Sequence, residues 1–127
     1  MTIAVTGATG ELGGRVAREL SARGVLQRLI VRDPARAPQL PGADVAVASY
    51  EDCEAMARAL DGASTLFLVS GHEEPDRISL HRKAIEGARL AGVERIVYTS
   101  FMGAAPHATF PYARDHGATE QAIRDAA

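Results

Sequence analysis

Cysteine and lysine are almost missing from this chain. Cys53 is its one thiol, and Lys83 is its one lysine against thirteen arginines. A single thiol excludes an intramolecular disulfide and a cysteine-based zinc cluster. His72, His81, His107 and His116 fall at no H-x-x-x-H or H-E-x-x-H spacing, so no metal site is expected. No apolar run approaches the ~18–20 residues that a membrane-spanning helix needs. The net charge is only -2, which gives no electrostatic case for nucleic acid or an anionic membrane as the main partner. The first apolar strand begins almost at the initiator Met, so no signal peptide and a cytoplasmic location are expected.

What is present is ordinary for a globular protein: 46% apolar and 24% charged residues in a chain of 127. That length predicts one domain, residues 1–127, able to bury a core without covalent staples. Short apolar runs alternate with helical patterns. "TIAV" (2–5), "QRLIV" (27–31), "ADVAVAS" (43–49), "STLFLVS" (64–70) and "ERIVYTS" (94–100) read as strands. "STLFLVS" is near-continuous in apolar character, the pattern of a strand buried on both faces. Between them, helices are predicted from about Gly10 to Arg23, Glu51 to Leu60 and Asp76 to Ala91, with a last one from about Ala113 to Ala126. Leu12, Val16 and Leu20 recur at i, i+4, and Gly24, Gly62 and Gly92 stand where helices should end. The proline-rich stretch 32–42 has room for one helical turn, with Asp33 as its cap and Pro34 at its first position.

Strands alternating with helices predict an α/β fold, a Rossmann-type doubly wound parallel sheet of five strands in the order 3-2-1-4-5. Such sheets bind ligands beyond the carboxyl ends of the strands, where strands one and four diverge. There the stretch "VTGATGELGGRV" (5–16) places four glycines between Gly7 and Gly14. Glycine costs entropy in an ordered segment, so it must supply something a side chain would block. Gly7 allows a tight turn out of the first strand, Gly10 lets backbone approach a pyrophosphate, and Gly13 lets the helix pack closely. The helix start then offers N–H groups and the positive end of its dipole to phosphate. A turn with close helix packing and no ligand is the plain alternative.

The end of the second strand indicates the nucleotide. An acid there would bind the ribose 2′-hydroxyl of NAD, whereas an arginine suits the 2′-phosphate of NADP. Arg32 lies nineteen residues after Gly13, and Asp33 follows it. Arg32 is nearer the strand end, Arg36 is close, and Asp33 has a capping role, so NADP(H) is expected, with NAD(H) left open. An exposed Arg32–Asp33 surface pair is the alternative.

"VTGATGELGGRV", "LIVRDPARA", "HRKAIEGARLAGVERIVYTS" and "ARDHGATEQAIRDA" together resemble the NmrA-like branch of the atypical short-chain dehydrogenase/reductases. Within it, the resemblance is closest to the NAD(P)H:quinone oxidoreductase-like members. It implies NADP(H) held by the turn Gly7, Ala8, Thr9, Gly10, Glu11 and Leu12 and by Arg32. It places Ser70 and Gly71, with Thr99 and Ser100, on the ribose and nicotinamide side. Members of the family run on well beyond this length, so a C-terminally shortened form without the substrate lobe is expected, its fifth-strand edge open to self-association. The implied reaction is hydride transfer from NADPH to a quinone or similar small acceptor. A non-catalytic NADP(H) sensor and an inactive shortened domain are the alternatives.

No catalytic residue is assigned. Carbonyl-reducing relatives use Tyr-x-x-x-Lys, the lysine lowering the pKa of the tyrosine acid, but Tyr50, Tyr98 and Tyr112 are followed four residues on by Glu54, Met102 and His116. Tyr112 and His116 share an i, i+4 spacing and form either an acid/base couple or a loop aromatic followed by a polar helix start. His81, one turn from Ile78 and Ile85, is expected to be semi-buried and structural. "HEEPD" (72–76) reads as the solvated lead-in and cap of the long helix. Cys53 is expected to pack as an inert thiol.

Overall fold

The computed structural model describes residues 2–70, 76–100 and 102–126. Its elements are β1 (Thr2–Thr6), α1 (Glu11–Ala22), β2 (Gln27–Val31), a 3-10 turn (Pro34–Arg36), β3 (Ala43–Val47), α2 (Cys53–Ala59), β4 (Ala63–Leu68), α3 (Arg77–Leu90), β5 (Arg95–Tyr98) and α4 (Pro111–Ala126). The five strands form one parallel sheet in the order β3-β2-β1-β4-β5, as the strand–helix alternation predicts.

Successive strand residues point to opposite faces, so two cores form. Ala4, Ile30, Leu66 and Leu68 meet Met56 and Leu60 of α2 and Ala84 and Ile85 of α3 on one face. Val5, Leu29 and Val31 meet Ala17 of α1 on the other. β4 is not buried on both faces as its composition suggests: Leu66 and Leu68 are buried, while Thr65 and Phe67 are only half-buried. α1 sits over β1 and β2, so the same face of β4 and β5 is thinly covered, and Val97 is 45% exposed.

Local chemistry sets the boundaries. Asp33 accepts from the Ala35 N–H at 3.0 Å, capping the turn that starts at Pro34. Asp52 does the same for α2 through the Ala55 N–H at 3.0 Å. Asp76 holds the N-cap position of α3 but makes no side-chain cap bond, and 72–75 lie outside the described residues. Cys53 is half-buried at the start of α2. His81 is fully buried, not semi-buried. Its Nδ1 lies 2.9 Å from Thr119 Oγ1 of α4 and 3.5 Å from the Tyr98 hydroxyl of β5. Polar groups on three elements therefore meet inside the α3–α4 layer.

Candidate functional site

The chain leaves β1 through a turn at Gly7, which has φ +66, a left-handed conformation that favours glycine. Val69, just beyond β4, packs on this turn: a Cβ built on Gly7 would sit 3.0 Å from the Val69 Cβ. Gly10 N–H bonds back to the Gly7 carbonyl at 3.0 Å, and Gly10 becomes the N-cap of α1. Gly13 is pressed onto the same turn. A Cβ there would lie 2.1 Å from the Gly7 carbonyl oxygen and 2.9 Å from that of Thr6. A Cβ on Gly10 would meet only the Gly7 oxygen, at 3.4 Å. Gly13 thus seats the helix, Gly7 makes the turn, and Gly10 faces open space. The first N–H groups of α1 have no intrahelical acceptor, so the turn presents donors and the positive dipole end to that space.

That space is a cavity of about 280 Å³ at the carboxyl ends of β1, β2 and β4. Of the residues expected at a nucleotide site, Gly7, Thr9, Gly10, Arg32 and Ser70 line it. Arg32 is exposed, and no ion pair joins it to Asp33 among the described residues. Thr99 reaches the site through Ser70: its Oγ1 accepts from the Ser70 N–H at 2.8 Å.

The other expected residues sit elsewhere. Ala8 is buried in the α1-side core. Glu11 is ion-paired with Arg15 at 2.7 Å on the exposed first turn of α1, and Leu12 is 49% exposed. The three lie on the turn and first helical residues, but their side chains do not line the cavity. Ser100 points away to Glu120 at 2.7 Å, and Gly71 lies outside the described residues.

His116 and Tyr112 each have tertiary neighbours. His116 Nδ1 lies 2.6 Å from the Tyr98 hydroxyl. The Tyr112 ring meets Phe110, with centroids 5.0 Å apart, and the Arg77 guanidinium at 5.7 Å.

Sequence reasoning missed Tyr50. It lines the cavity with Thr6 and Val69, and its hydroxyl lies 2.6 Å from Thr6 Oγ1 and 2.6 Å from the Val69 carbonyl. Burial pushes its pKa up to about 12 against the opposing effect of the Thr6 hydrogen bond. Burial lowers the His81 pKa to about 4, with Arg77 adding repulsion, and burial raises that of Tyr98. At neutral pH these groups carry no charge and act as hydrogen-bonding groups.

A glycine turn feeding a helix, an arginine at the end of the second strand and a cavity where β1 and β4 diverge define a dinucleotide-binding α/β domain. The chain belongs to the NAD(P)H-binding family, which it matches over residues 7–127. It is 38% identical to quinone oxidoreductase 2 of Escherichia coli, over 97% of this chain and 44% of that protein. It is 30% identical to the NAD(P)H azoreductase of Xenophilus azovorans, over 97% of this chain and 43% of that one. The structure of Citrobacter sp. triphenylmethane reductase complexed with NADP(H) superposes with a TM-score of 0.85 at 36% identity, covering 98% of this chain and 45% of that chain. The E. coli quinone oxidoreductase with NADPH gives 0.87 at 39%, covering 98% and 45%. The chain thus spans less than half the length of these relatives. They agree with the family resemblance read from the glycine turn and the "AGVERIVYTS" block.

Proposed function

We propose that this domain binds NADP(H) in the cavity between β1 and β4 and serves a reductase that passes hydride to a quinone or another conjugated, dye-like acceptor. The observation that carries this reading is the convergence of Gly7, Thr9 and Gly10 (the N-cap of α1) with Arg32 and Ser70 on one cavity. The turn and helix start would hold the pyrophosphate, and Arg32 would pair with the 2′-phosphate. Ser70, steadied by Thr99, would border the ribose and nicotinamide. Bound NADPH supplies the hydride; the chain's own contribution is to orient it and shield it from water. The relatives named for quinone, azo and triphenylmethane substrates support the acceptor class. NADH is the weaker ligand on this reading because Arg32 would have no phosphate to meet.

In the sheet, β5 pairs with β4 and with no other described strand. Such an edge is a template for another strand, and we infer self-association through it, with residence in the cytoplasm. Anaerobic NADPH oxidation with a soluble quinone tests the reaction. Acceptor-dependent oxidation supports it, and saturable NADPH binding without oxidation would leave a nucleotide-binding module, the sensor alternative. Sedimentation tests the edge: a monomer at high concentration would refute it.

A further inference from the structure

Thr6, Tyr50 and Val69 come from three separate segments of the chain and meet at the point where β1 and β4 part. Their hydrogen bonds have one consistent sense. The Val69 N–H can only donate, and it donates to Thr6 Oγ1 at 2.9 Å. The Val69 carbonyl can only accept, and the Tyr50 hydroxyl donates to it at 2.6 Å. With its one proton used there, Tyr50 Oη is left as an acceptor 2.6 Å from the Thr6 hydroxyl. The other acceptor for that hydroxyl, the Phe67 carbonyl, is farther away at 3.3 Å. The bonds therefore close a ring: Val69 N–H to Thr6, Thr6 to Tyr50, and Tyr50 to the carbonyl of the same Val69.

This ring ties the last residue of β1 to the segment just after β4. Thr6 precedes the turning glycine, and Val69 precedes Ser70 and packs on Gly7. All three members of the ring line the cavity. Chained hydrogen bonds polarise and reinforce one another in a low-dielectric setting. Losing the Tyr50 hydroxyl takes a partner from both the Thr6 hydroxyl and the Val69 carbonyl, and opens the ring.

We propose that Tyr50 is a positioning residue of the nucleotide cleft: the hydroxyl ring it closes with Thr6 and Val69 sets the spacing between the glycine turn and Ser70 before any ligand arrives. The proposal rests on the nucleotide reading of the same cavity. Tyr50 acts through Thr6 and Val69, not by chemistry of its own.

The test uses the whole chain with three variants of the ring, Tyr50→Phe, Thr6→Val and the double variant, and one core control far from the ring, Ile85→Val. NADPH affinity is read by titration, stability by thermal melting, and the ring itself by hydrogen exchange of the Val69 amide without nucleotide. Tyr50→Phe should weaken NADPH by roughly three- to tenfold, the worth of about one hydrogen bond, and speed exchange at Val69. The control should lower the melting temperature without moving the affinity. Because one break opens the ring, the double variant should lose little more than either single one.

Multiplying losses in the double variant would mean that two independent contacts act, not a ring. Equal losses in Tyr50→Phe and in the control would make the effect general instability. Either result overturns the proposal, as does unchanged Val69 exchange. A wild type that binds NADPH and a Tyr50→Phe that binds it equally well overturns the positioning role alone. A wild type that binds no NADPH overturns the nucleotide reading and the positioning role with it.

Discussion

Gly13 and Gly10 stand three residues apart in one turn, and the structure gives opposite reasons for them. A methyl group on Gly13 would lie 2.1 Å from the Gly7 carbonyl oxygen, 2.4 Å from its carbon and 2.9 Å from the Thr6 oxygen. All three obstacles are backbone, so none can rotate away. Carbon–oxygen contacts relax only beyond about 3.3 Å, so α1 would have to lift by about 1 Å and disturb the packing of Ala17 against β1 and β2. Overpacking of this kind costs about 1–3 kcal/mol or more. The helix preference of alanine over glycine returns only about 1 kcal/mol. Gly13→Ala should therefore lose about 2 kcal/mol net, a fall of about 8 °C in melting temperature for a domain of this size.

Gly10 has φ -92 and ψ -178, which any residue adopts, and its added Cβ would touch little. Gly10→Val should melt within a few degrees of wild type yet bind NADPH at least tenfold more weakly, because its side chain occupies the place proposed for phosphate. Thermal melting and NADPH titration of both variants decide the matter. A Gly13→Ala protein as stable as wild type would refute the packing argument. A folded Gly10→Val protein with wild-type affinity would refute the phosphate cradle.

Arg32→Ala should weaken NADPH by about ten- to a hundredfold, the worth of a charge-assisted contact of roughly 1.5–3 kcal/mol, and leave NADH nearly unchanged; equal losses for both nucleotides in parallel titrations would count against a 2′-phosphate role. His81 has its pKa lowered by burial from the ordinary 6.5 to about 4, so the unfolded chain takes up its proton first as pH falls. Stability is then full above about pH 6.5 and declines toward pH 4, by at most about 3 kcal/mol from this group. Urea unfolding of wild type and His81→Leu across that range should show the loss in wild type and a flatter profile in the variant. The buried Arg77 guanidinium is held by Asp115 at 3.2 Å, and Arg77 Nε has no hydrogen-bond partner among the described residues. Asp115→Asn removes the compensating charge and should cost about 3 kcal/mol, visible as a lower urea midpoint; an unchanged midpoint would show that Arg77 finds other compensation.

Much of the fold was legible because each strand is a short apolar run and each of the first three helices ends at its own glycine, Gly24, Gly62 or Gly92. The parallel order followed from the crossovers those helices require. The glycine turn was legible for the same reason: its demands are local, and Gly7 and Gly13 meet them within a dozen residues. Arg32 was placed by its interval from the turn. Tyr50 was not legible, because its partners Thr6 and Val69 are 44 and 19 residues away and no periodicity links them. The contacts of His81 with Thr119 and Tyr98 span 38 and 17 residues. Its spacing from Ile78 and Ile85 showed which helix face it occupies, not what it meets. The contact of His116 with Tyr98 was not legible in the i, i+4 spacing of Tyr112 and His116, because it joins α4 to β5. The near-continuous apolar character of β4 likewise overstated its burial, because helix coverage is set by the position of α1 and not by the strand's own residues.

The central claim is that NADPH enters the cavity where β1 and β4 diverge. Amide-resolved NMR titration of the chain with NADPH tests it directly. The account predicts saturable shifts concentrated at Gly7, Thr9, Gly10, Arg32, Tyr50 and Ser70, with Thr2, Leu26 and Gly42 at the opposite end of the sheet unmoved. Absence of saturation, or shifts centred on that opposite end, would contradict it.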